Sequence, residues 1–199
     1  MPDAIDFWFA LSSPSSYLAS LRVDAVAGRH GREVRWRPFD IRTALEAEGV
    51  RPNVMYPRKG AYARRDWART ARLHGHDYRL PDPFGRSSLP ATAIAYRAEA
   101  DGDQRMLKAF CRAVMAAYFT RNEAIDEIEV LVPLAASAGL AGDRARAAPE
   151  DPDMHAALAT ATRTALAEGI WGAPVMVVDG EPFWGEDRID QIDLWLAKG

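Results

Sequence analysis

The most constraining feature of the chain is a run of apolar and aromatic residues, Ala4 to Leu11, broken off abruptly by Ser12, Ser13 and Pro14. A short continuous apolar run suits a strand buried on both faces. A serine followed by proline is a helix-start signal: Ser13 is expected at the N-cap and Pro14 at the first helical position, where its missing N–H costs nothing. Tyr17, Leu18, Leu21 and Val26 follow at helical spacing, and the glycines from Gly28 to Gly31 should end that helix. Val34 to Phe39 reads as a second strand, closing a βαβ unit by about residue 40.

The middle of the chain, Ile41 to Gly169, reads as helical. Tyr62, Asp66, Trp67, Thr70, Ala71 and Leu73 form one stripe, ending at Gly75. Leu107, Phe110, Val114 and Tyr118 form another, and Met154 to Glu168 is an alanine-rich third segment. Pro133 predicts a kink or a late start in the helix over Ile128 to Ala138. The end returns to strand character. Pro174 to Asp179 is β-branched, Asp179-Gly180 is a turn signal before Glu181 to Trp184, and Asp187 is expected to cap a last helix carrying Ile189, Ile192, Leu194, Trp195 and Leu196.

The order βαβ, helical block, ββα predicts an α/β protein with a thioredoxin-like fold and a large inserted all-helical domain. The expected limits are 1–41 and 170–199 for the discontinuous thioredoxin-like domain and 42–169 for the insert. In such folds the proline of Gly172-Ala173-Pro174 is cis and faces the N-terminus of the first helix. Ala173 can then offer backbone groups to an extended peptide.

A net charge of −3 gives no field that would gather phosphates, so nucleic acid is not expected as a partner. The basic group Arg58, Lys59, Arg64, Arg65, Arg69 and Arg72 reads instead as a solvated helix face or an anion-steering patch. The start of the chain shows no secretory pattern and no run reaches the length of a membrane span, so a soluble cytoplasmic protein is expected. No metal site is expected, since His74 and His76 diverge at a helix end. The single cysteine, Cys111, sits in an apolar stripe and reads as a core thiol.

The segment with chemical potential is Ser13-Pro14-Ser15-Ser16. A dithiol oxidoreductase would carry cysteine at its two outer positions. Serine cannot form a mixed disulfide, so exchange chemistry is excluded there. Taken alone, Ser13 is a helix cap. Taken with the free N–H groups of a helix start, it could also stabilise a thiolate delivered from outside.

Phe9 to Leu18, Gly172 to Pro174 and Phe183 to Arg188 resemble the 2-hydroxychromene-2-carboxylate isomerases, which group with the kappa-class glutathione transferases and more distantly with the DsbA oxidoreductases. The resemblance spans essentially the whole chain. It implies a homodimer that uses glutathione as cofactor and acts on a small aromatic acid by reversible thiolate addition. Ser13 would hydrogen-bond the glutathione sulfur, with Asn53 near glutathione and substrate. Ala173 and Pro174 would pair with its cysteine, and Trp184, Gly185, Glu186 and Asp187 with its γ-glutamyl end, where Asp187 could accept from the ammonium. Phe84 would lie over the substrate or plug the core beneath its loop, and Arg188 would assist binding or form a structural ion pair. Two positions depart from the pattern: Ala10 stands where aspartate is usual and Ser15 where an aromatic is usual, which would widen or polarise the pocket. Arg42 is the nearest cation for a substrate carboxylate. The alternatives are a kappa-type glutathione transferase and a non-catalytic thioredoxin-like module that binds peptides at the Ala173-Pro174 edge.

Overall fold

A computed structural model describes residues 4–198. The expected domain limits 1 and 199, and Met1 to Asp3 of the leader reading, lie outside the described residues. The chain runs β1 (Ile5–Phe9), α1 (Pro14–Ser20), α2 (Val23–Arg29) and β2 (Val34–Pro38). The helices α3 (Ile41–Ala47), α4 (Pro57–Leu73), α5 (Leu89–Asp101), α6 (Gln104–Arg121), α7 (Ile128–Ser137), α8 (Gly142–Ala147) and α9 (Pro152–Ala167) follow. It ends with β3 (Val175–Val178), β4 (Glu181–Trp184) and α10 (Ile189–Ala197).

The four strands form one sheet in the order β2-β1-β3-β4, with β1 parallel to β2 and the other pairs antiparallel. Period-two alternation across two covered faces explains why β1 is apolar except at Asp6, which accepts from Arg37 of β2 at 2.7 Å. Phe7 and Phe9 stack at 5.0 Å and meet the edge of Trp36 on one face. Trp8 packs against Phe39 on the other, in a second cluster with Ala165, Ile170 and Val175. The Phe7 face continues into the helices through Tyr17, Leu18, Phe110, Val114, Tyr118 and Phe119, so the apolar stripe read on α6 is core. At the sheet edge the Gln104 side chain accepts from the Trp36 N–H at 2.8 Å and donates to its carbonyl at 3.2 Å, occupying groups that would otherwise template another strand.

Three local expectations are corrected. The first helix is two helices, because Ser20 Oγ donates to the Tyr17 carbonyl at 2.6 Å and the Arg22 N–H closes on Ala19, tightening the turn. The α4 stripe is core only in part: Ala71 is buried in the core and Trp67 packs against it, whereas Tyr62 and Leu73 are exposed. Asp187 does not cap the last helix. A 3-10 turn over Glu186–Arg188 precedes α10, and Asp187 accepts from Arg188 at 2.6 Å instead.

Candidate active-site cleft

Where β1 stops, the Ser13 N–H donates to the Ala10 carbonyl at 3.0 Å and the chain turns into α1. Ser13 takes extended dihedrals, φ −93° and ψ 121°, and its Oγ accepts from the Ser16 N–H at 3.2 Å. Ser16 faces inward, buried, and its Oγ accepts from the Ala10 N–H at 3.3 Å. The first and fourth residues of the tetrad therefore differ in access: Ser13 is half-buried at a cleft and Ser16 is sealed beneath it.

Gly172 and Ala173 lie in the same cleft wall. The Ala173–Pro174 peptide is cis, as is Asp82–Pro83. Trp171 and Trp184 pack at 4.2 Å, and a Cβ on Gly172 would meet Trp184 Nε1 at 2.7 Å, so the tryptophan pair closes directly over the glycine. The Gly185 N–H donates to the Pro174 carbonyl at 3.0 Å, which ties the segment after β4 to the start of β3.

Gly185 holds φ +111° and ψ 152°, a region only glycine occupies comfortably. An alanine Cβ there would come within 2.5 Å of Asp187 Oδ1, an exposed side chain that can move. Gly185→Ala is expected to cost about 1–3 kcal/mol, mostly through backbone strain. A urea melt checks this: an unchanged midpoint would show that the backbone has a relaxed alternative.

The cleft, about 2250 Å³ and open to solvent, brings together nearly every candidate residue: Ser13, Asn53, Phe84, Ala173, and Trp184 to Asp187 all line it, with Arg188 beside them. Pro174 lies behind that surface, outside the lining. Asn53 opens a 3-10 turn over Asn53–Met55, pressed against α4 at Gly60, where a Cβ would meet the Val54 carbonyl oxygen at 2.7 Å. Phe84 stacks on Trp67 at 6.3 Å and belongs to the cleft wall, not the buried core. Its loop is held by the Tyr118 hydroxyl, which accepts from the Gly85 and Arg86 N–H groups, and by Arg42, which donates to the Gly85 carbonyl at 3.2 Å. Arg58, Lys59 and Arg64 of the basic helix also face the cleft.

Two contributors escaped the sequence reading. Trp67 Nε1 donates to Ser15 Oγ at 2.9 Å, and Ser15 hydrogen-bonds the buried carboxylate of Glu186. Burial above all, with Asp187 and Asp66 adding negative charge, holds Glu186 above the usual glutamate range. Ser15, where an aromatic was expected, was the available signal. Its partner on α4 lies 52 residues away and carries no local mark.

Residues 4–197 match the family model of the DSBA-like thioredoxin domain. The chain belongs to that family. It is 28% identical to a 2-hydroxychromene-2-carboxylate isomerase from Sphingobium xenophagum, over 98% of this chain and 99% of the relative. It is 24% identical to glutathione S-transferase kappa 1 from Homo sapiens, over 100% and 92% of the two chains. A solved structure of a 2-hydroxychromene-2-carboxylate isomerase superposes with a TM-score of 0.88 at 24% identity, covering 98% of this chain and 95% of that one. The α/β thioredoxin-like fold with helical insertion expected from the element order is thereby shown, as is the resemblance to the 2-hydroxychromene-2-carboxylate isomerases.

This DsbA-like chain has no dithiol in its first helical turn, since Ser13 and Ser16 occupy the outer positions of the tetrad. Its one cysteine, Cys111, is fully buried on α6, and burial pushes its thiol pKa far up. Among the described residues no group of three or more His, Cys, Asp or Glu gathers to hold a metal ion, and no helix is long and apolar enough to cross a membrane.

Proposed function

We propose that this DsbA-like chain is a glutathione-dependent isomerase acting on 2-hydroxychromene-2-carboxylate or a related aromatic acid. The observation that carries this reading is the meeting, in one cleft, of the Ser13 hydroxyl with Ala173, Trp184 and the Glu186 turn, in a chain without an accessible thiol of its own. The residues fit a thiol peptide. Ser13 supplies a hydroxyl at a helix start, Ala173 backbone groups in the same cleft, and the Glu186–Arg188 turn acidic groups for a peptide terminus. Relatives named as isomerases and as a glutathione transferase support the cofactor.

Bound glutathione would supply a thiolate that adds reversibly to a conjugated carbon, allows ring opening and bond rotation, and is regenerated on elimination without net redox change. Ser13 donates its hydroxyl hydrogen bond towards that sulfur and so favours the ionised thiol. Asn53, Trp67 and Phe84 orient a planar substrate, the ring pair offering a flat apolar wall. Arg42 and the cations of α4 draw its carboxylate into the cleft. With this reading go the expectations of a cytoplasmic homodimer and of 42–169 as an inserted domain.

Mass analysis of the products tests the assignment. An isobaric product with glutathione recovered unchanged is expected. A stable glutathione adduct would replace isomerisation by kappa-type transfer, and capture of extended peptides without glutathione binding would favour a peptide-binding module.

A further inference from the structure

Phe84 lines the cleft but belongs to neither core cluster, so core packing does not fix where its ring stands. Its own loop does not fix it either. Among the described residues, the backbone of 80–87 makes no hydrogen bond to another backbone group. Side chains from elsewhere take over that task, chiefly from the end of α6 and the residues just after it. The Asn122 side chain grips Asp82, its Oδ1 accepting from the Asp82 N–H at 2.7 Å and its Nδ2 donating to the Asp82 carbonyl at 2.9 Å. The Tyr118 hydroxyl accepts from the Gly85 and Arg86 N–H groups at 3.1 and 3.3 Å, and Arg86 pairs with Asp126 at 2.8 Å. Phe84 is therefore bracketed, by Asn122 on the side of Asp82 and by Tyr118 on the side of Gly85.

Asn122 also ends α6, in the left-handed region at φ +60° and ψ 33°. Glycine is the least strained residue there and asparagine is tolerated. Ending the helix thus requires no side chain. The amide has a different use: its donor and acceptor lie side by side and match the paired N–H and C=O of Asp82. The other ring of the wall is held from another direction, since Trp67 stands on α4 and its Nε1 is tied to Ser15. Asn122 itself lies outside the cleft lining, so it reaches a ligand only through the Phe84 loop.

We propose that Asn122 is a positioning residue, which by holding Asp82 sets where Phe84 stands against Trp67 and so fits the cleft to a planar aromatic acid. This rests on the aromatic-acid part of the proposed function and names a residue outside the cleft that governs it. Ser13, Gly185 and Glu186 take none of their hydrogen bonds from Asn122 or the 80–87 loop, so the effect is confined to the substrate side.

Calorimetry with 2-naphthoate, a planar two-ring carboxylate that does not react with thiols, and separately with glutathione tests the proposal without turnover. Asn122→Gly keeps the left-handed end of α6 and removes both bonds to Asp82. It is expected to bind 2-naphthoate about tenfold more weakly, the order of one lost net hydrogen bond, with glutathione affinity and the urea midpoint nearly unchanged. Phe84→Ala should weaken 2-naphthoate too, and adding Asn122→Gly to it should change nothing further, because the two act through one ring. Full affinity for 2-naphthoate in Asn122→Gly, additive losses in the double variant, or an equal loss for glutathione would overturn the role of Asn122. If the wild type does not bind glutathione, the glutathione reading falls, while the 2-naphthoate titrations still decide the role of Asn122. If it does not bind 2-naphthoate, the aromatic-acid reading and this inference fall together.

Discussion

Ser13→Ala and Ser13→Gly are both expected to lower turnover at saturating glutathione by about a hundredfold, the lower end of what removing one preorganised donor costs at an oxyanion. The pair is informative because Ser13 has two jobs that these variants separate. Its Oγ caps α1 by accepting from the Ser16 N–H, and its hydroxyl proton is free to point into the cleft. Alanine removes both functions and should cost about 1 kcal/mol of stability, whereas glycine is nearly as good a cap and should cost only a few tenths. If the cap alone matters, Ser13→Gly keeps activity and Ser13→Ala loses some of it. If the hydroxyl stabilises the thiolate, both lose it equally and Ser13→Thr keeps most of it. Thiolate absorbance of the glutathione complex should follow the same order. Unchanged absorbance and turnover in both variants would remove Ser13 from the chemistry.

The sequence made this test conceivable because local chemistry is written locally. Ser13-Pro14 after an apolar strand can hardly be anything but a helix start, and Asp179-Gly180 turns β3 into β4 with both residues at positive φ. The buried run of β1 was legible for the same reason, since a strand covered on both faces has few polar positions to spare, here only Asp6. What could not be read depends on partners distant in the chain. The first helix breaks at Leu21 and Arg22 through a serine side chain whose competition with the backbone has no outward sign. The α4 stripe divides between core and cleft, with Ala71 in the core and Tyr62, Asp66 and Trp67 lining the cleft, because periodicity records a face and not what covers it. Asp187 looked like a cap because it precedes an apolar helix, yet the 3-10 turn over Glu186–Arg188 takes up the intervening residues and aims Glu186 inward. The candidate residues of the cleft were thus readable one motif at a time. The Trp67–Ser15–Glu186 chain was not, because it joins three segments.

The largest stability loss should come from the Phe7 face of the sheet, at Trp36. Its ring is 1% exposed and meets both Phe7 and Phe9 at 5.2 Å, while its Nε1 donates to Asp24 Oδ2 at 3.0 Å. Asp24 also accepts from Lys108 at 2.7 Å and from Arg112 at 2.6 Å, and the Arg112 guanidinium lies over the indole at 4.9 Å. One residue therefore joins β1, β2, α2 and α6. Trp36→Ala should cost about 3–5 kcal/mol by transfer and cavity terms, a large share of the roughly 5–15 kcal/mol that holds a domain folded. Trp36→Phe keeps most of the aromatic contact and leaves Asp24 its two cations, so about 1–2 kcal/mol is expected from the lost hydrogen bond and reduced volume. Urea unfolding should show both as midpoint shifts with little change in slope. Because Trp36 does not line the cleft, the folded fraction of either variant should bind glutathione as the wild type does. A loss below 1 kcal/mol for Trp36→Ala would mean that the Phe7–Phe9 face repacks into the vacated space, and that the sheet is held from the Trp8 side instead.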